Sequence, residues 1–347
     1  MKILCPIIGG SGVEIYYQRL SAGLAGTKIE MEFVRFSPRW EYMPWLLNWP
    51  GRWHLPRNSQ ADVLHTNVEY GNHFRWKPIP WVVTLHHCSI DHESATFLST
   101  FSQIHHQLFL KPSVGRSILS ADRAVAVSGY TRKVLNLFFQ KELPIRIIYN
   151  GIDPEIFAPR EFAASRERSR IVLFFSGNPS LRKGVDLLAP IMLRLGGDFE
   201  LRYTTGLRPI TLGKGLSPNM KCLGKLSEPD LVAEINNADI ILQPSRREGF
   251  GYSILEGMAC GKPVVSTQCS SIPELVEHGQ GGYLCEVGSV DQFVNAIRTL
   301  AQSEDRRRQM GDFNRQRVLE RFSLKQMAHQ YAGLYRELVG ESHANRS

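Results

Sequence analysis

Two glutamates stand eight residues apart, Glu248 and Glu256, in the stretch EGFGYSILEGMACGKPVV that runs from 248 to 265. Gly249 and Gly251 let the backbone come close to a ligand. The residues after Gly251 open a helix whose first N–H groups and partial positive charge attract an anion. A diphosphate suits such a site. A carboxylate two turns down the helix, Glu256, can accept both hydrogen bonds of a ribose diol, while the loop carboxylate, Glu248, reaches the group beyond the phosphates. Glycoside hydrolysis by paired acids fits poorly, because two acids two helical turns apart do not flank one scissile bond.

The elements that must position these residues are legible around them. ADIILQPS at 238–245 predicts a buried strand, so Ser245 to Gly251 falls just beyond its carboxyl end. The helix starts near Tyr252 and stops before Gly261, with Pro263 barring continuation. Short apolar runs of the same kind recur at 2–8, 29–36, 61–67, 81–87, 123–128 and 145–151, and again at 171–177, 199–205 and 263–267, with helical patterns between them. Continuous apolar strands alternating with helices specify parallel sheets covered on both faces. Val13, Tyr16, Tyr17, Leu20 and Leu24 form one buried stripe on a helix near 12–25. Phe97, Phe101, Ile104, Leu108 and Phe109 predict a second such stripe over 95–110.

The polar stretch APREFAASRERSR, 158–170, reads as an interdomain connector. The fold class is therefore α/β, with two doubly wound, Rossmann-like parallel-sheet domains facing a central cleft at the carboxyl ends of their strands. The expected limits are 1–160 for the first domain and 161–325 for the second. Residues 326–347 are expected to form a helix packing back toward the first.

Composition sets the class. With 347 residues, 43% hydrophobic and 21% charged, the chain is that of a globular protein, and no stretch approaches eighteen uncharged apolar residues. The opening MKILCPIIGGSGVEIYYQ reads as a first buried strand rather than a signal peptide, which places the chain in the cytoplasm. Six cysteines lie scattered with no C-x-x-C pair or histidine spacing suited to zinc. The net charge of +8 implies an anionic partner, and its excess leans toward the first half, with 17 Lys/Arg against 12 Asp/Glu in 1–160 and 24 against 21 afterwards. Basic residues do not interleave with aromatics as a nucleic-acid stripe would require, so nucleic acid is not an expected partner.

The stretch from Glu248 to Val265 resembles the Glu-x7-Glu motif, E-G-F-G-x-x-x-x-E-A-M-A-x-G-x-P-V, of the retaining glycosyltransferases of family 4, the group 1 glycosyl transferases with the GT-B fold. Other segments agree: GGSGVEIYYQRLSAGLA, VVTLHH, AVSGYTRK, IYNGIDPEIFAP and FFSGNPSLRKGVDLLAPIM. The resemblance implies a nucleotide-diphosphate sugar as donor, bound through Gly10, Ser11, Gly12, Gly177, Asn178, Phe250, Gly251, Tyr252, Ser253, Ile254 and Glu256. Glu248 would contact the donor sugar and Glu256 the donor ribose. Lys183 matches the family's diphosphate-binding lysine, and His86 the histidine beside the donor sugar. The arginine usual after the loop glycine is replaced by Asn178, and Arg182 would supply the missing charge. Asn150, Gly151 and Asp153 shape the linker.

With Lys183 and Arg182 neutralising the leaving phosphate, the scheme needs no metal or other cofactor, and the chain lacks a clear Asp-x-Asp ligand pair. The resemblance implies retention of the donor's α-configuration and an acceptor that is a glycan or a lipid-linked sugar, in cell-surface polysaccharide, lipopolysaccharide or glycolipid synthesis. The segment RWEYMPWLLNWPGRWHLPR, 39–57, carries Trp40, Trp45, Trp49 and Trp53 among three arginines. It suits peripheral contact at the inner face of the membrane, buried packing, or the lining of an acceptor groove. Two other classes share the scaffold, a nucleotide-sugar epimerase and a non-catalytic nucleotide-sugar-binding protein. A dinucleotide dehydrogenase fits worst, because it leaves the second half's motifs unexplained.

Overall fold

The computed structural model describes residues 1–8, 12–37, 60–75, 79–86, 100–160, 170–205 and 217–344. Gly10, Ser11, the tryptophan segment 39–57, Phe97 and most of the polar stretch 158–170 lie outside the described residues. The chain forms two compact units, Met1–Gly151 with Leu324–Ser347, and Ile152–Ser323.

The first unit is built on β1 (Lys2–Ile8), α1 (Gly12–Gly23), β2 (Glu30–Phe36), β3 (Val63–Asn67), β4 (Trp81–Leu85), α2 (Thr100–His105), α3 (Lys111–Ser120), β5 (Arg123–Ala126), α4 (Gly129–Phe139) and β6 (Ile145–Ile147). Its six strands pair in parallel in the order β2-β1-β3-β4-β5-β6. The apolar runs become strands because both faces are covered: β1 is buried along its middle and β4 throughout. Val13, Tyr16, Tyr17, Leu20 and Leu24 are all buried, as the stripe on α1 predicts. The run predicted at 123–128 ends as a strand at Ala126, because Ser128 leaves to cap α4, accepting from the Thr131 amide in a reciprocal capping box.

The stripe predicted over 95–110 does not hold. Ile104, Leu108 and Phe109 are exposed, and the buried apolar residues on this helical run are Leu110, Val114 and Ile118. A π-helical turn at His106–Leu110 joins α2 to α3. Its extra residue rotates the apolar face, so a single 3.6-residue period drawn through the segment points the wrong way.

The second unit comprises β7 (Ile171–Phe175), α5 (Val185–Leu195), β8 (Phe199–Thr204), β9 (Met220–Gly224), α6 (Glu228–Asn237), β10 (Ile240–Gln243), α7 (Tyr252–Ala259), β11 (Val264–Thr267), α8 (Ile272–Leu275), β12 (Gly282–Cys285), α9 (Val290–Ala301) and α10 (Glu304–Arg321). Its parallel strands run β12-β11-β10-β7-β8-β9. Leu173, Phe175, Leu188, Ile191, Leu242, Val265, Phe293 and Ile297 form the core between sheet and helices. Residues 157–160 are held to this unit rather than left as a free connector. Arg315 donates to the Phe157 carbonyl, and Asn236 bonds the Ala158 carbonyl and the Arg160 amide.

The last helix, α11 (Leu324–Ala344), returns to the first unit. Its Tyr335 hydroxyl lies 2.7 Å from His65 Nδ1, while His65 Nε2 lies 2.7 Å from Thr84 Oγ1, which lies 3.1 Å from the Tyr331 hydroxyl. Both ring nitrogens of His65 are satisfied, and burial lowers its pKa to about 3, so the ring is neutral. No described helix is long and apolar enough to cross a membrane.

Candidate active site

In the second sheet the chain order reverses between β7 and β10, which are direct neighbours with Ile240 beside Leu173 and Ile241 beside Phe174. Loops leaving the carboxyl ends of such a strand pair diverge to opposite faces and open a crevice, the usual ligand site of an open parallel sheet. The loop after β7 carries Gly177 to Gly184, and the loop after β10 carries Pro244 to Gly251. The two loops touch. Gly184 has φ +69°, and a Cβ there would run into the Pro244 carbonyl, so this approach requires glycine.

Glu248 is the centre of the contact. Its Oε1 accepts from Lys183 Nζ at 2.5 Å and from Ser245 Oγ at 2.9 Å, and its Oε2 lies 3.4 Å from Arg182 Nη1. The carboxylate is 7% exposed, Lys183 is 13% and Arg182 38%. Burial alone would push the Glu248 pKa up. The charges of Lys183 and Arg182, with hydrogen bonds from Lys183 and Ser245, overcome it and hold the carboxyl at about 2. The backbone is fixed as well: the Glu248 amide donates to Ser270 Oγ, and Ser271 Oγ donates to the carbonyls of Glu248 and Phe250. Arg182 thus reaches the same carboxylate as Lys183, although Arg182 also donates to the Arg247 carbonyl at 2.7 Å. Asn178 is exposed on the same loop. Gly177 has φ +125°, and a Cβ on it would sit 3.7 Å from Lys183 Cε.

Gly251, with φ +111°, caps α7, so the amides that open this helix follow directly after the Glu248 loop. Gly251's carbonyl accepts from the Ile254 and Leu255 amides. Ser253 Oγ accepts from Gln243 Nε2 at 2.9 Å, and the same nitrogen donates to the Ser176 carbonyl, linking the ends of β7 and β10 to the first turn of α7. The Phe250 and Ile254 side chains are buried, Phe250 with its ring 5.9 Å from that of Phe322, so any donor contact of theirs is through the backbone. Tyr252 and Ser253 are half-buried at the helix start, and Glu256 is buried one turn further in.

In the first unit His86 follows β4 directly and is buried, its ring 4.2 Å from that of Tyr16 in an edge-to-face contact. Gly12 opens α1, with open space where a Cβ would stand.

Sequence reasoning did not assign Ser245, Ser270, Ser271 or Gln243. Their signal is the hydroxyl or amide at or just after the carboxyl ends of β10 and β11, in QPS and CSS, where a polar group can only face the crevice or a neighbouring loop.

Comparison with known proteins agrees with this geometry. The glycosyl transferases group 1 family matches residues 160–317, and Glycosyltransferase Family 4 matches residues 10–156. An MMP alpha-(1->4)-mannosyltransferase from Mycolicibacterium hassiacum is 31% identical over 82% of this chain and 72% of its own length. An N-acetyl-alpha-D-glucosaminyl L-malate synthase from Bacillus anthracis is 30% identical over 64% of this chain and 61% of its own. Among solved structures, sucrose-phosphate synthase from Thermosynechococcus elongatus superposes with a TM-score of 0.84 at 18% identity, over 98% of this chain and 100% of that one. Anabaena HepE in complex with UDP-glucose superposes with 0.76 at 17%, over 97% and 100%. Sequence motif, two parallel-sheet units and family likeness converge, and the chain belongs to glycosyltransferase family 4, with the GT-B fold.

Proposed function

We propose that this glycosyltransferase moves a sugar from a nucleotide-diphosphate sugar to a glycan or lipid-linked acceptor with retention of the donor's configuration and without a metal. The observation that carries the reading is the convergence of Lys183 and Arg182 on Glu248, at the strand reversal and beside the amide-rich start of α7. When the anomeric carbon–oxygen bond breaks, its electron pair goes to the diphosphate, and the two cations and the helix amides stabilise the charge that grows there. The acceptor hydroxyl forms the new bond to the anomeric carbon and gives up its proton to the departing diphosphate oxygen. In this reading Glu248 serves the donor sugar and Glu256 the ribose, and His86 is the histidine that the family motif assigns to the sugar. In this scheme the leaving-group charge falls to Lys183 and Arg182.

Membrane contact through 39–57 belongs to the same reading. Mannose and N-acetylglucosamine, named for the two relatives, are the first sugars to test. The test is thermal-shift screening against UDP-, GDP- and ADP-sugars, since a ligand that binds only the native state raises its stability, followed by transfer assays. Lys183→Ala and Glu248→Ala should each abolish transfer with the chain still folded. Unchanged turnover in either removes the mechanism.

A further inference from the structure

Two arginine side chains, Arg182 and Arg246, line the contact between the two site loops, and they are not equivalent. Arg182 faces Glu248. Arg246 does not reach it: its Nη1 and Nη2 pair with the two oxygens of Asp186, each at 2.6 Å, and Nη1 also donates to the Leu181 carbonyl at 2.6 Å. The Arg246 amide donates to the Arg182 carbonyl at 2.8 Å. In the opposite direction, Arg182 Nη1 donates to the Arg247 carbonyl at 2.7 Å. Arg246 therefore holds the carbonyls of the two residues that immediately precede Lys183, while Asp186, in the first turn of α5, anchors its guanidinium. Its charge is spent on Asp186, and the planar guanidinium fork suits it to grip both carboxylate oxygens and the Leu181 carbonyl at once, a bidentate geometry that a lysine ammonium does not reproduce.

We infer that Arg246, anchored on Asp186, is a positioning residue that sets Arg182 and Lys183 against Glu248 and so fixes how the cationic loop grips a nucleoside diphosphate. The inference rests on the functional reading above. A mere surface clamp would stabilise the second unit without coupling to Arg182. A positioning residue acts through Arg182 and Lys183, and its loss is felt by the diphosphate and not by the base and ribose.

The experiment is calorimetric titration of the full chain with UDP, GDP and ADP, using wild type, Arg246→Met, Arg246→Lys, Arg182→Met and the Arg182→Met/Arg246→Met double variant. For the nucleotide that wild type binds, Arg246→Met should lose about tenfold in affinity, the loss of one charge-assisted hydrogen bond. Arg246→Lys should not restore it, and the double variant should lose clearly less than the sum of the two single losses, because Arg246 acts in part through Arg182 and coupled neighbours are not additive. Binding of the matching nucleoside, followed by NMR, should stay within about twofold of wild type in all variants, since it lacks the phosphates. Asp186→Asn keeps the arginine and the shape, and should weaken diphosphate binding in the same direction should Arg246→Met fail to fold. Unchanged diphosphate affinity in Arg246→Met or Asp186→Asn, fully additive losses, or equal loss for the nucleoside overturns the inference. Wild type that binds none of the three nucleotides overturns the functional reading and this one with it.

Discussion

Lys183→Met removes the nearer cation from a carboxylate that burial would otherwise keep protonated. In the folded chain Glu248 is depressed from an ordinary 4.5 to about 2, which at ~1.4 kcal/mol per pH unit corresponds to about 3 kcal/mol. A depressed carboxyl contributes that stability in full above pH 4.5 and loses it as pH falls toward 2. Without Lys183, burial pushes the group back up against only Arg182, at 3.4 Å and 38% exposed, and the Ser245 hydroxyl. The variant should therefore fall below wild type by about 3 kcal/mol at pH 7.5, the range for breaking a buried pair, and by less at pH 4. Tryptophan fluorescence cannot follow this, because all six tryptophans lie between 40 and 81, in the first unit. Urea unfolding read by pulsed hydrogen exchange in peptides of β7, β10 and β11 can. Adding Glu248→Gln should recover most of the loss, since no buried charge then stands unpaired. An equal penalty at both pH values, or a double variant whose losses simply add, would refute the electrostatic account.

Other outcomes follow from neighbouring features. Glu256→Ala should raise the donor KM about tenfold with kcat changed less than about threefold, as removal of ground-state binding does; steady-state kinetics with equal loss in kcat would contradict the ribose role. Gly184→Ala, at φ +69° and against the Pro244 carbonyl, should cost the second unit about 2 kcal/mol or more; the exchange-detected urea midpoint checks it. His65, held neutral by burial at about 3 against an ordinary 6.5, makes the first unit less stable as pH falls below 6.5, by up to ~1.4 kcal/mol per pH unit. His65→Gln should flatten that dependence between pH 7 and pH 5 in urea unfolding followed by tryptophan fluorescence. Identical pH dependence in both proteins would remove His65 as its source.

Much of the fold was readable because parallel strands buried on both faces leave continuous apolar runs, and helices such as α1 leave one stripe. The reading failed at 95–110, where a π turn changes the period that the pattern assumes. At the site, the loop glycines and the spacing of Glu248 and Glu256 carry local requirements that a sequence displays. The Arg246 to Asp186 pairing does not show, because it joins residues 60 apart through long side chains whose partners depend on which strands become neighbours. Ser270 and Ser271 were equally silent. Their hydroxyls matter only because β11 lies beside β10. Phe250 and Ile254 sit in the motif for packing as well as for the backbone they carry.

Burial of a polar group does not by itself mark a site, and the two units show why. His65 is fully buried among neutral partners, with both ring nitrogens used. Glu248 is buried as an ion, and its partners are two cations, one of them 38% exposed. Arg246 with Asp186 sums to zero charge, whereas Lys183 and Arg182 against Glu248 leave one positive charge over. In the proposed scheme, that surplus is what an incoming diphosphate would meet. Glu248→Gln keeps the shape and the Ser245 contact and raises the surplus to two. It should bind the nucleoside diphosphate about three- to tenfold more tightly than wild type, as one partly screened charge interaction allows, while transfer from the intact donor collapses because the carboxylate that serves the sugar is gone. Calorimetry and a transfer assay on the same preparation separate the two effects. Weaker diphosphate binding in Glu248→Gln would mean that the carboxylate organises the cations for the ligand rather than standing in for it while the site is empty.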